Sequence, residues 1–154
     1  MIKEFIIPFR LDGLNEYTKA NRTSAAVGAA MKRRNEAFVL DAIHDAGLIG
    51  VHFEEPVKIF FHWNEETHRR DLDNIAFAKK FILDALVKSE VLKNDNWECV
   101  RGFSDTFSYI KEWESFVSVK ICTISHLHQI EDNFEFRLKD YKGISNLLAR
   151  KGKK

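Results

Sequence analysis

The sequence predicts an α/β fold: a small mixed sheet of about four strands with two main helices, followed by a short C-terminal helical extension. Three observations point there. Short stretches such as Ile2 to Phe9 and Ser115 to Ile124 alternate apolar and polar residues, longer stretches repeat apolar residues at helical spacing, and the two patterns interleave. With 154 residues the chain is long enough for one domain with a substantial core. Hydrophobic residues at 45%, charged residues at 31% and only two prolines exclude collagen-like, low-complexity and largely disordered chains.

Ile2 to Phe9 reads as the first strand, and Asp12 to Arg22 as a polar loop ending in a cationic hook. Ser24 opens a helix in which Val27, Met31, Phe38, Ala42 and Ala46 share one side, and Gly47 ends it. After Pro56, Val57, Ile59, Phe61 and Trp63 alternate with Lys58, Phe60 and His62, a strand with apolar residues on both faces. A second helix starts near Asp71 or Asp73 and runs to about Lys88, with Ile75, Ala78, Ile82, Ala85 and Leu86 as its apolar stripe. Strands at roughly Cys99 to Phe107 and Ser115 to Ile124 suggest a hairpin across Ser108 to Glu114. Beyond His126, Ile130, Phe134, Leu138, Ile144, Leu147 and Leu148 are spaced for short helices. The expected division is a domain over residues 1 to 125 and an extension over 126 to 154 with a basic tail.

No apolar run approaches the roughly 18 to 20 residues of a membrane span, and the opening MIKEFIIPF has no cleavage site. Cys99 and Cys122 have no paired spacing, which argues against a disulfide framework or a cysteine zinc site. The expectation is a cytoplasmic protein with no membrane partner. Net charge is only +1, so bulk electrostatics does not suggest nucleic acid. Cations do cluster, at Lys32, Arg33 and Arg34, at His68, Arg69 and Arg70, at Lys79 and Lys80, and in the tail. Each cluster alone reads as a solvated face.

The informative stretch is His68-Arg69-Arg70-Asp71-Leu72-Asp73-Asn74, with Lys79, Lys80 and Asp84 after it and Asn94-Asp95 beyond the helix. In extended chain, residues two apart point the same way, so Asp71 and Asp73 can aim both carboxylates at one point. Oxygen ligands without His or Cys favour a hard cation, and Mg²⁺ is usually held by one or two carboxylates, waters and substrate phosphates. On a continuous helix from Asp73, Lys80 and Asp84 fall on the same side and Lys79 near the apolar edge. Lys80 is thus the ammonium expected to face the acids, and Asp84, three turns along, is expected to pair with Lys80 at i, i+4 or with a backbone group. Asp95, in a polar turn, is a candidate third ligand.

Spacing alone leaves a second reading open, since Asp before a helix is a common cap and Arg-Asp neighbours often pair on surfaces. An EF-hand fails, because Ala76 and Ile82 stand where Gly and Glu are required. An aspartyl-phosphate phosphatase wants an apolar strand before its first Asp, where this chain has His68, Arg69 and Arg70. His62, His68, His126 and His128 lack a third partner at zinc-ligand spacing.

Taken together, Arg69-Arg70-Asp71-Leu72-Asp73-Asn74, Lys80, Asp84-Ala85-Leu86 and Asn94-Asp95 resemble the RusA family of Holliday junction resolvases, especially phage and prophage members. Leu14-Asn15-Glu16-Tyr17, Asn21-Arg22 and Ala30-Met31-Lys32 add to the resemblance, which covers roughly residues 1 to 125. It implies a RusA-like small α/β homodimer that binds four-way DNA junctions and cuts two strands symmetrically with Mg²⁺, or Mn²⁺ as substitute. Carried over by position, Asp71, Asp73 and Asp95 are the implied metal carboxylates and Lys80 the implied catalytic lysine. Two departures stand out: Phe77 occupies the position four after Asp73 where some relatives have the lysine, and Asn94 replaces the first acid of the usual Asp-Asp turn. Arg22, Lys32, Arg33, Arg34, Arg69 and Arg70 are the cations expected to hold DNA phosphates without reading sequence. Alternatives are a non-catalytic junction-binding recombination accessory protein, in which the acids are caps, and a nuclease preferring forks or flaps.

Overall fold

The computed structural model describes residues 1–127, so the expected C-terminal helices and basic tail lie outside the described residues. In chain order the elements are β1 (Ile2–Pro8), α1 (Leu14–Thr23), α2 (Ala25–Asp45), β2 (Val57–Glu65), α3 (Leu72–Ala76), α4 (Lys79–Lys88), β3 (Val100–Tyr109) and β4 (Phe116–Thr123), closed by a 3₁₀ turn at Ile124–His126. The strands form one mixed sheet in the order β1-β4-β2-β3. The small α/β fold expected from the sequence is the one found.

The expected β3–β4 hairpin is not. β2 lies between those strands, parallel to β3 and antiparallel to β4, while β4 pairs on its other side with β1. The physical reason is in β2 itself, where Ile59, Phe60, Phe61, His62, Trp63 and Asn64 are all buried. A strand buried on both faces belongs inside a sheet, and its parallel partner needs a long crossover, which α3 and α4 supply. The segment after β3 then crosses the end of β2, where the Ile110 N–H donates to the Glu65 carbonyl at 3.2 Å.

The main core fills one face of the sheet. Phe5, Ile7, Ile59, Phe61, Trp63, Val117, Val119 and Ile121 meet Val39, Ala42 and Ile43 of α2 and Ile82, Ala85 and Leu86 of α4. Full burial of each large side chain contributes about 1.5–3 kcal/mol before chain entropy is counted. The stripe read for the second helix, Ile75, Ala78, Ile82, Ala85 and Leu86, is buried throughout.

α2 begins as expected, with the Ser24 hydroxyl accepting the Val27 N–H at 3.1 Å, and Gly47 just beyond it has φ of 71°. Its buried face differs from the predicted one. Ala42 is buried as predicted, but Val27 and Phe38 are over 40% exposed, and α2 buries Asn35, Glu36, Val39 and Ile43 beside Ala42. Two polar residues go inside because each has partners. The Asn35 amide donates to the Asp12 carboxylate at 2.7 Å and to the Met31 carbonyl at 2.9 Å. Glu36 pairs with Lys88 of α4 and, at 3.7 Å, with Lys32. At Asp12 burial acts to raise the carboxyl, but hydrogen bonds from Asn35 and Arg34 outweigh it and hold the group below its ordinary value.

Most of the Asp12 to Arg22 segment, expected as loop, lies in the helix α1. Glu16 accepts the Gly13 N–H at 3.1 Å, the reach-back bond of an N-terminal cap. Tyr17 packs its ring on Phe77 and Phe81 at 5.4 and 5.7 Å. The second predicted helix is two helices, α3 and α4, separated at Phe77 and Ala78. There the Ala78, Lys80 and Phe81 N–H groups bond three residues back, to Ile75, Phe77 and Ala78. Such tightened turns advance by about 120° per residue, so the continuous-helix projection from Asp73 to Lys80 does not carry across the break.

Candidate functional site

The acidic motif divides into residues that turn inward and residues that turn out. Arg70 is mostly buried: its guanidinium donates to the Leu11 carbonyl at 3.2 Å and to the Glu65 carboxylate, which also accepts the Ser115 hydroxyl at 3.2 Å. Asn74 is buried too, and its Oδ1 accepts the Asn15 N–H at 3.0 Å. Gly13 lies against this clasp so closely that an added Cβ would sit 2.5 Å from Asn74 Oδ1 and 2.8 Å from the Asn74 carbonyl oxygen. Arg70 and Asn74 thus fasten the 69–74 segment to the chain before α1 and to the start of α1.

Asp71 and Asp73, between those anchors, are exposed. Asp71 is the extended residue before α3, at φ −67° and ψ 155°, and its side chain caps nothing. Asp73 already belongs to the first helical turn, so the extended-chain alternation inferred for the pair does not describe it. Neither carboxylate has a hydrogen bond or ion pair among the described residues, which argues against a capping role for Asp71. Asp95 is exposed in the turn after α4, where Asn94 Oδ1 accepts its N–H at 2.8 Å and its carboxylate likewise has no partner among the described residues. Among the described residues, no three His, Cys, Asp or Glu side chains form a group that could hold a metal ion, so Asp71, Asp73 and Asp95 are not a ready-made three-ligand cage. The oxygen-only donors at 71 and 73, exposed and uncommitted, fit a hard cation of the kind held by one or two carboxylates plus waters and phosphate.

The two lysines separate clearly. Lys79 donates to Asp105 Oδ2 at 2.7 Å and lies over the Phe103 and Phe61 rings at 4.7 and 5.2 Å, while Asp105 Oδ1 accepts the Trp63 indole N–H at 2.9 Å. It ties α4 to β3. Lys80 is half-exposed and stands 3.9 Å from Asp84, the partner expected four residues on.

Of the cations expected to hold phosphate, several are engaged elsewhere. Lys32 pairs with Asp84 at 3.2 Å, Arg34 with Asp12 at 3.1 Å, and Arg70 is part of the clasp. Such ion pairing within the fold is invisible in a charge count. Arg22, Arg33 and Arg69 are exposed and have no acidic partner among the described residues. Of the histidines weighed as zinc ligands, His62 is buried with its ring nitrogens 2.6 and 2.9 Å from the Thr106 and Ser108 hydroxyls, His68 meets the Tyr109 ring edge-on at 5.0 Å, and His126 Nδ1 lies 2.8 Å from the Thr123 hydroxyl, while His128 lies outside the described residues. Burial pushes the His62 imidazole down to about 4.

One residue with functional potential was not singled out from the sequence. Trp97 is 89% exposed, two residues after Asp95, on a turn braced by Asn96 Oδ1 accepting the Glu98 and Cys99 N–H groups at 3.1 and 3.2 Å. An aromatic inside a polar, asparagine-rich turn was the available signal. No family model matches the chain, and no curated protein matches it. No helix among the described residues is long and apolar enough to cross a membrane.

Proposed function

We propose that the protein is a Mg²⁺-dependent, structure-specific endodeoxyribonuclease that resolves four-way DNA junctions by paired, symmetric cleavage, working as a homodimer. The observation that carries the reading is the clasp: Arg70, mostly buried, and Asn74, buried, are anchors, and the two aspartates between them are presented to solvent without partners among the described residues. Asp71 and Asp73 are the residues that would hold Mg²⁺ or Mn²⁺, with Asp95 as the third acid. When bound, such an ion lowers the pKa of water and relieves charge on a phosphodiester.

The chain's own residues supply the rest. The Lys80 ammonium, held loosely by Asp84, offsets charge developing on the non-bridging oxygens. Arg22, Arg33 and Arg69 grip phosphates on either side, contacts that position DNA without reading its bases. Trp97 offers a flat apolar face to an unstacked base next to Asp95. Two copies about a dyad match the near-twofold symmetry of a four-way junction.

The test is cleavage of synthetic junction, fork, flap and linear duplex, each with Mg²⁺, with Mn²⁺ and with chelator. Paired nicks in the junction at the highest rate are expected. Faster cutting of forks or flaps would reassign the substrate. Junction binding with no metal-dependent nicking would assign a non-catalytic accessory protein.

A further inference from the structure

Opposite the side that packs into the core, α1 presents a face whose residues are polar apart from Leu14. Leu14, Asn15, Thr18, Lys19, Arg22 and Thr23 line an open groove of about 520 Å³. These positions fall on one side of a helix, at i, i+1, i+4, i+5, i+8 and i+9, while Tyr17 and Ala20 point the other way, into the fold. The helix has one acid, Glu16, and it is turned from the groove, bonded to the Gly13 N–H and to Arg10 at 3.0 Å. Lys19 and Arg22 are exposed and have no acidic partner among the described residues, unlike Lys32 and Arg34 of α2. The groove therefore combines two uncompensated cations with the polar side chains of Asn15, Thr18 and Thr23.

Its position gives it a direction. Asn15, at one end of the groove, is the residue whose N–H is bonded to Asn74, the neighbour of Asp73. From Asn15 to Arg22 the helix rises roughly 10 Å, which is the axial rise of about three phosphates on one strand of B-DNA.

We infer that the groove on α1 is a track for a DNA sugar-phosphate backbone, with Lys19 and Arg22 neutralising two phosphates of the strand that continues to Asp71 and Asp73. The occupant is a phosphodiester chain because the lining offers cations and hydrogen-bond donors and no negative charge, and because its Asn15 end is bonded to Asn74, the residue after Asp73. This rests on the nuclease reading for its placement and extends it to residues outside the acidic motif, Lys19 and Thr18 above all.

The experiment measures binding of a fluorescein-labelled synthetic four-way junction, with chelator present so that no strand is cut, across a salt series. The proteins are wild type, Lys19→Ala/Arg22→Ala, the charge-keeping pair Lys19→Arg/Arg22→Lys, and Arg101→Ala, which removes an exposed cation of β3. The alanine pair is expected to lower affinity by about tenfold and to reduce the slope of log K against log salt by about 2, near 0.9 for each phosphate released. The charge-keeping pair and Arg101→Ala should follow wild type, and far-ultraviolet circular dichroism should show all four equally folded. If wild type binds the junction and the alanine pair matches it in affinity and slope, the groove inference is overturned and the nuclease reading survives. Binding lost in the alanine pair from a wild type that binds, but that cuts no junction when the same protein is given Mg²⁺ or Mn²⁺ in a parallel reaction, leaves the groove standing and removes the catalytic reading. A wild type that binds no DNA overturns both.

Discussion

Asn74 Oδ1 accepts the backbone N–H of Asn15 at 3.0 Å, so the start of α3, which carries Asp73, is bonded directly to the start of α1. Gly13 makes this approach possible, because any Cβ there would overlap Asn74. The nearer obstacle is a side-chain oxygen, but the 2.8 Å contact is to backbone and cannot swing aside. Gly13→Ala is expected to lower unfolding free energy by about 1–3 kcal/mol, the usual cost of overpacking. Urea denaturation measures it, and an unchanged midpoint would contradict the close approach.

Lys79 and Lys80 should fail in different ways. Lys79→Ala removes an ion pair to Asp105 and two ring contacts from a mostly buried side chain, a loss of about 1–2 kcal/mol seen as a lower denaturation midpoint. Lys80→Ala, half-exposed and weakly paired, should change stability by less than about 0.5 kcal/mol while severely reducing junction cleavage. The opposite pattern would assign the reacting ammonium to Lys79.

His62 sets a pH dependence of stability whose sign follows from burial. Its imidazole ionises at about 4 in the folded chain against 6.5 when free, so the unfolded chain binds more protons between those values. Stability is complete above pH 6.5 and declines as pH falls toward 4, by up to about 3 kcal/mol from this group. Asp12 acts in a separate, lower window: its carboxyl is held below 3.8, so its contribution is present above that value and is lost as pH falls through the lowered one. Proton NMR titration of the His62 ring checks the first claim directly. A midpoint near 6.5 would contradict it.

How much of this was legible in the sequence depended on whether the signal was local. β1, β2 and β4 announced themselves by alternation, and the Ile75-to-Leu86 stripe by helical spacing, because both patterns record which face meets the core. α1 was hidden because the residues it turns inward are few, Tyr17 and Ala20 among them, and its N-terminal signal was a single Glu three residues after a Gly. The buried face of α2 was misread because Asn35 and Glu36 look like surface until Asp12 and Lys88 are known to lie against them. In the acidic motif Asp71 and Asp73 are exposed, whereas the anchoring roles of Arg70 and Asn74 depend on Leu11, Asn15 and Glu65, all distant or across a turn. Pairing of β3 with β2 rather than β4 is likewise a long-range choice that no window of sequence contains.

The most direct measurement is cleavage and gel-shift of one synthetic four-way junction, in Mg²⁺, by wild type, Asp71→Asn and Asp73→Asn. Both substitutions change exposed carboxylates without side-chain bonds among the described residues, so folding should be unaffected. Wild type is expected to introduce paired nicks, and each variant to lose at least about 100-fold in rate, since even outer partners of a metal are typically worth 10–100-fold. Binding should persist, because removing negative charge beside phosphate does not weaken association. Junction cutting by both variants at the wild-type rate would contradict the assignment of Asp71 and Asp73 as the centre of a phosphodiesterase.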